Sequence, residues 1–200
     1  MTTFTAGTSR WMAIGCWAVA VLMLFAAATV GDAAIAAKLG IIALDVAVAG
    51  WAALWRPAVM IDDTRVVVRN VFSTVSVPWA ALIDVDTKYA LTLVTPHRRV
   101  TAIAAPAPGR HAVMWANRQD LTGLPERTYD SVRSIRPGDL VESHSGAAAL
   151  LVRRYWERLA EEQRIDLGAA DTTEVGVRSH PVTIGVAVVL AVATVVVLAV

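Results

Sequence analysis

The sequence predicts an α+β protein: an antiparallel β-sheet or barrel followed by a C-terminal amphipathic helix, carried by three transmembrane helices. Three observations support that prediction. Two long apolar stretches open the chain and a third occupies its last nineteen positions. Between them, short apolar and β-branched runs recur at the spacing of an antiparallel meander. One later segment, Ala147 to Gln163, then switches to a helical period.

Trp11 to Val30 contains no charged residue, and at about 1.5 Å rise per residue it measures about 30 Å, the thickness of a bilayer's hydrocarbon core. Ala33 to Trp55 is interrupted only by Lys38 and Asp45, and Gly31 and Asp32 alone separate it from the first stretch, so the two predict a helical hairpin. Val182 to Val200 has no charge at all. The expected organisation is an N-terminal hairpin over 1–55 (spans 11–30 and 33–55), a water-facing domain over 56–166 with an irregular insertion at 106–145, a tether over 167–181 and a third span over 182–200. A cleaved signal peptide is disfavoured by the unbroken first span and the second span directly after it. A lipoprotein reading of Ala13-Ile14-Gly15-Cys16 fails because only five residues separate Arg10 from the cysteine.

Basic residues beside the spans set the expected orientation. Arg10 precedes the first span, the connector carries none, and Arg56, Arg65 and Arg69 follow the second; Arg164 and Arg178 precede the third. The chain is therefore expected in the cell membrane as a multi-pass protein, with the N-terminus and the middle domain cytoplasmic and the C-terminus outside.

An apolar fraction of 56% exceeds that of ordinary soluble chains, and the spans account for the excess. Of the 18 basic residues, 16 lie between Arg56 and His180, interleaved with nearly as many acids, and the net charge is only +1. No dense basic run exists, which argues against nucleic acid as a partner. Cys16, the single cysteine, lies inside the first span and so can supply the domain with neither a disulfide nor a metal ligand.

In the domain, Arg56-Pro57 ends the second helix, because the residue before proline disfavours the α region. Ala58–Ile61 and Arg65–Asn70 read as strands joined by an Asp62-Asp63-Thr64 turn, with Val66 and Val68 on one face. Thr74–Val77 is a third strand. Ile83-Asp84-Val85-Asp86 alternates, which predicts Ile83 and Val85 inward. Tyr89–Thr95 follows with Tyr89, Leu91 and Leu93 on one face, and Val100–Ala104 returns after the Pro96-His97-Arg98-Arg99 turn. Ala147–Gln163 is expected as a helix capped by Ser145, its apolar stripe formed by Leu151, Tyr155 and Leu159 beside Val152 and Trp156. Its other face offers Arg153 with Glu157 and Arg158 with Glu162 as i,i+4 pairs.

No catalytic constellation is apparent. His97, His111, His144 and His180 lack metal-ligand spacing, and no phosphate-loop, dinucleotide or nucleophile-elbow motif occurs. Ser143-His144-Ser145 has no orienting acid. Asp62-Asp63 and Asp84/Asp86 read as turn and solvated strand face. The expectation is no catalytic residue, no cofactor and no metal. Trp11, Trp51 and Trp55 suit interfacial anchoring, whereas Trp79 and Trp156 suit a domain core. Asp45, in the middle of a span, is expected to pair with a neighbouring span or subunit; Lys38, two turns away, can reach the outer surface.

Several segments together carry a family resemblance: Arg56-Pro57-Ala58-Val59, Val77-Pro78-Trp79 before Asp84-Val85-Asp86-Thr87, Ala104 to His111, Arg136-Pro137-Gly138-Asp139-Leu140, and Ala147 to Glu157. On these the chain resembles membrane-anchored bacterial PH-like proteins of the actinobacterial type. The resemblance implies a PH-like fold at a membrane and carries no established reaction. In phosphoinositide-binding PH domains the first hairpin loop is basic; here it is Asp62-Asp63-Thr64, which would repel phosphate. His97, Arg98 and Arg99 at another hairpin tip, with Arg110, are the candidate contacts to anionic headgroups. The expected work is non-catalytic: a protein-interaction or scaffolding module with a membrane or envelope protein partner, besides the lipids around the spans. Anionic-lipid sensing is the alternative, and an enzyme of unrecognised type a more remote one.

Overall fold

The computed structural model describes residues 2–5, 7–107 and 143–199. The expected insertion, Arg110 and His111 included, lies almost wholly outside the described residues. The chain divides into two compact units.

One unit comprises residues 7–57, 71–73 and 179–200. It holds three helices long and apolar enough to cross a membrane: α1 (Gly7–Thr29), α2 (Ala33–Gly50) continued by a π-helical turn over Trp51–Trp55, and α4 (Pro181–Ala199). The tight connector works because Asp32 caps α2, its Oδ1 accepting from the amides of Ala34 (2.8 Å) and Ile35 (3.1 Å). Ala13, Ala20, Ala43, Gly50 and Ala52 are the buried positions of the hairpin, and a Cβ on Gly50 would stand 2.9 Å from the Cys16 Cβ. Small residues thus let the two backbones approach closely, the usual basis of helix association in lipid. The Trp17 indole donates to the Ala47 carbonyl (3.1 Å), and its ring packs on Trp55.

The other unit comprises residues 1–6, 58–70 and 74–178. Strand β1 (Thr2–Phe4) pairs antiparallel with β2 (Ala58–Ile61), which pairs with β3 (Arg65–Arg69), then β4 (Ser73–Pro78) and finally β8 (Gly176–Ser179). A second sheet contains β5 (Asp84–Asp86), β6 (Ala90–Val94) and β7 (Arg99–Pro106), all antiparallel. Helix α3 (His144–Glu161) packs on the second sheet. The core between these layers is made by Val59, Ile61, Val66, Val68, Val77, Trp79, Leu91, Leu93, Ala102, Val152 and Leu159, all nearly or wholly excluded from solvent.

The structure corrects the expectation at several points. Six strands were expected, but two more form among the described residues: β1 immediately precedes the first apolar helix, and β8 lies in the expected tether, which also contains a 3₁₀ segment at Leu167–Thr172. Ile83 precedes β5 and is 52% exposed, and Tyr89 sits in the turn before β6 at 78% exposure. Alternation does not extend to Ile83 because β5 begins only at Asp84, after the 3₁₀ turn at Trp79–Ala81; at Tyr89 the β6–β7 register shifts between Ala90 and Thr92, which re-aims the residue before it. The stripe of α3 is rotated from the one expected: Ala148, Ala149, Val152 and Leu159 are buried and Leu151 is 38% exposed. Its cap is Ser143, whose Oγ accepts from the Gly146 amide (2.8 Å), while Ser145 is fully buried. Arg153 donates to the Val85 carbonyl (2.7 Å), Arg158 lies over the Tyr155 ring, and Glu162 accepts from Arg164.

Helix α3 ends in a Schellman arrangement. The amide of Arg164 bonds the Leu159 carbonyl (2.9 Å), and that of Gln163 bonds the Ala160 carbonyl (3.1 Å). Gln163 adopts φ 54°, the left-handed conformation that glycine usually fills at this position.

Candidate functional site

The hairpin tip between β6 and β7 carries three of the four expected headgroup contacts. Thr95 shapes the turn, its amide and hydroxyl both donating to the Arg98 carbonyl (3.0 and 2.9 Å). That turns the side chains of His97, Arg98 and Arg99 outward, and all three residues are exposed. Their charge is already partly answered. Arg99 faces Asp86 across the sheet at 3.7 Å, and His97 Nε2 donates to the Asp171 carbonyl at 3.1 Å. His97 and Arg98 line a cavity of about 540 Å³ whose opposite wall is Asp171, Thr172, Thr173, Glu174 and Val175. Nothing in the sequence pattern linked 95–98 to 171–175, some seventy residues away; Pro-free polar stretches such as 167–175 give no periodic signal.

The acidic turn between β2 and β3 is a built structure. Asp62 Oδ1 accepts from the Thr64 amide, the Thr64 hydroxyl and the Arg65 amide, at 2.8 to 2.9 Å. Partial burial pushes the Asp62 carboxyl up, but the hydrogen bonds from Thr64 and Arg65 and the Arg65 charge outweigh it, so its pKa lies below the ordinary 3.8. The Trp79 indole, 2% exposed, donates to the Asp62 carbonyl (2.8 Å) and stacks on Tyr155 with centroids 5.9 Å apart. Tyr155 in turn reaches Asp63 with its hydroxyl (3.3 Å). The turn therefore presents carboxylates locked in place, an unfavourable place for phosphate.

Sheet edges differ in how they are closed. Asn70 clamps the outer side of β7, donating to the Thr101 carbonyl (2.8 Å) and accepting from the Ile103 amide (3.0 Å). Arg153 caps a β5 carbonyl, as described. Strand β8 is a terminal strand of its sheet, and all four of its residues are exposed, Val177 at 52%. An open edge with an apolar side chain is a template for another strand.

Among the helices, Asp45 accepts a hydrogen bond from the Thr194 hydroxyl of α4. Arg56 Nη1 donates to Thr183 Oγ1 (2.9 Å) and to the Val71 carbonyl (3.0 Å). Lys38 has no hydrogen-bond or ion-pair partner among the described residues. Thr183 and Thr194 escaped the sequence reading, since hydroxyls inside an apolar run give no hydropathy signal. Arg110 lies outside the described residues. Among the described residues no group of three His, Cys, Asp or Glu side chains could hold a metal ion.

A domain whose described residues form two antiparallel sheets with one long helix against the second of them is of the pleckstrin-homology type. Residues 56–138 match the family model described as Bacterial PH domain, which covers β2 to β7; α3 follows the matched stretch. The chain thus carries a bacterial PH-like domain together with three candidate membrane-spanning helices. Neither the search of curated proteins nor that of solved structures returned a match.

Proposed function

We propose that this is a multi-pass membrane protein whose cytoplasmic PH-like domain is a non-catalytic interaction module, docking a membrane or envelope protein partner along β8. The observation that carries the reading is the contrast between edges: side chains bond the edge backbone of β5 and β7, whereas β8, which with the shorter β1 ends the other sheet, has all four residues exposed. Main-chain pairing along such an edge gives affinity, and the Val177 and Arg178 side chains give selectivity. Helices on both sides of the domain in the chain keep it near its membrane partners, which raises their effective concentration without high intrinsic affinity. Arg10, Arg56, Arg65 and Arg69 support the cytoplasmic orientation. The anionic-lipid alternative has less support, because Asp86, Asp171 and Glu174 stand among the basic residues it needs.

Affinity purification of the full chain in mild detergent tests the reading. The proposal expects a stoichiometric protein with the wild type and its loss with Val177→Lys, which places a charge on the edge. Equal recovery with both forms would remove β8 from the account.

A further inference from the structure

The cavity between the β6–β7 tip and residues 171–175 has a polarity of its own. Thr95 donates its hydroxyl proton to the Arg98 carbonyl (2.9 Å), and Thr172 and Thr173 donate theirs to the Ala169 carbonyl (3.1 and 2.7 Å). Each hydroxyl has therefore spent its one donor on the protein and offers only lone pairs. His97 behaves likewise: a carbonyl can only accept, so Nε2 carries a proton and that donor is spent on Asp171. The Asp171 and Glu174 carboxylates are acceptors only. One donor-only side chain, the Arg98 guanidinium, stands among them, and Pro96 and Val175 complete the lining. Among the described residues, none of the Arg98, Asp171 and Glu174 side chains has a hydrogen-bond or ion-pair partner.

Two free carboxylates and spent hydroxyls suit a group rich in N–H donors and positively charged. A single guanidinium beside them suits an oxyanion. We infer that this cavity binds a zwitterion carrying a primary ammonium and a phosphate, that is, a phosphoethanolamine group, with the ammonium held by Asp171, Glu174 and the threonine oxygens and the phosphate by Arg98. The same acceptor-rich lining discriminates against a quaternary ammonium, which has no N–H to give. Such a group comes either as a lipid headgroup or as a free small molecule. The third apolar helix begins seven residues after Glu174. This site is independent of the β8 edge.

The full chain in detergent, titrated calorimetrically with O-phosphoethanolamine and with phosphocholine, tests the chemistry. Binding of the first about tenfold tighter than the second is expected, and a loss of about tenfold with Asp171→Asn/Glu174→Gln or with Arg98→Gln, the scale of charge-assisted hydrogen bonds. Equal affinity for the two ligands, or no binding of either, overturns the inference without recourse to any variant. Native mass spectrometry of the chain in nanodiscs of mixed phosphatidylethanolamine and phosphatidylcholine separates the sources. Retention of phosphatidylethanolamine by the wild type but not by the Asp171→Asn/Glu174→Gln form assigns the lipid; no retention, with binding of the free compound, assigns the soluble zwitterion.

Discussion

Asp45 of α2 accepts a hydrogen bond from Thr194 of α4, and this pair is one half of a matched set. The other half is Arg56 with Thr183. Asp45 and Arg56 are eleven residues apart, as are Thr183 and Thr194. Within α4 eleven residues is three helical turns, about 16 Å, and returns to the same face. The two clasps therefore fix both the antiparallel direction and the register of α4 on α2, a task that interchangeable Val, Ala and Leu side chains perform poorly.

Removing a clasp should cost about what interhelical hydrogen bonds contribute in lipid, roughly 0.5–1.5 kcal/mol. Asp45→Ala and Thr194→Val are each expected to lower the thermal unfolding midpoint of the full chain in detergent. Because they share one bond, the double variant should lose less than the sum of the singles. Strict additivity would mean that the pair does not interact.

Gly50 supports the hairpin by absence. A Cβ there would meet the Cys16 Cβ at 2.9 Å, inside any tolerable contact. Gly50→Ala should destabilise the hairpin by about 1–3 kcal/mol, as overpacking does. Cys16→Gly in the same chain should recover part of the loss, which distinguishes a local clash from a general effect of changing a span; unfolding in detergent reads both.

Asp62 makes the β2–β3 turn sensitive to acid. Its folded pKa is lowered, so its contribution is complete above the ordinary 3.8 and disappears as pH falls through the lower folded value. Asp62→Asn should thus unfold more easily than wild type at pH 7, by about 1 kcal/mol for the weakened turn contacts. The gap should narrow at pH 3. A gap independent of pH would contradict a charge-based role.

Gln163 is the place where the chain is readily improved. The left-handed conformation costs a side-chain-bearing residue about 1 kcal/mol that glycine avoids. Gln163→Gly is expected to raise stability by about 0.5–1 kcal/mol, after allowing for glycine's freer unfolded state. Chemical denaturation monitored by tryptophan fluorescence reports it.

Much of the fold was legible in the sequence because it rests on patterns with a period. Val66 and Val68 alternate as strand residues must, the Asp62-Asp63-Thr64 turn has the chemistry of one, and the spans declare themselves by length. What escaped has no period. Thr2–Phe4 is too short to show alternation, and Gly176–Ser179 becomes a strand only because β4 offers an edge. Tyr89 escapes alternation at the β6–β7 bulge, and Ile83 because β5 starts one residue after it. The buried stripe of α3 is centred not on its largest side chains, such as Leu151, but on Ala148, Ala149 and Val152, whose small size permits close contact. Of the candidate site, His97, Arg98 and Arg99 were visible as a basic tip; their acidic neighbours Asp171 and Glu174 were not, since proximity across seventy residues leaves no mark on a single sequence.

Docking of a protein partner on the PH-like domain along β8 can be tested in the cell. The most direct measurement is photo-crosslinking in living cells with benzoylphenylalanine placed at Val177, and at the still more exposed Tyr89 as a control away from that edge. A discrete protein adduct from position 177 and none from position 89 is the expected result of docking along β8. Adducts of similar yield from both positions, or none from 177 in a correctly inserted chain, would contradict it.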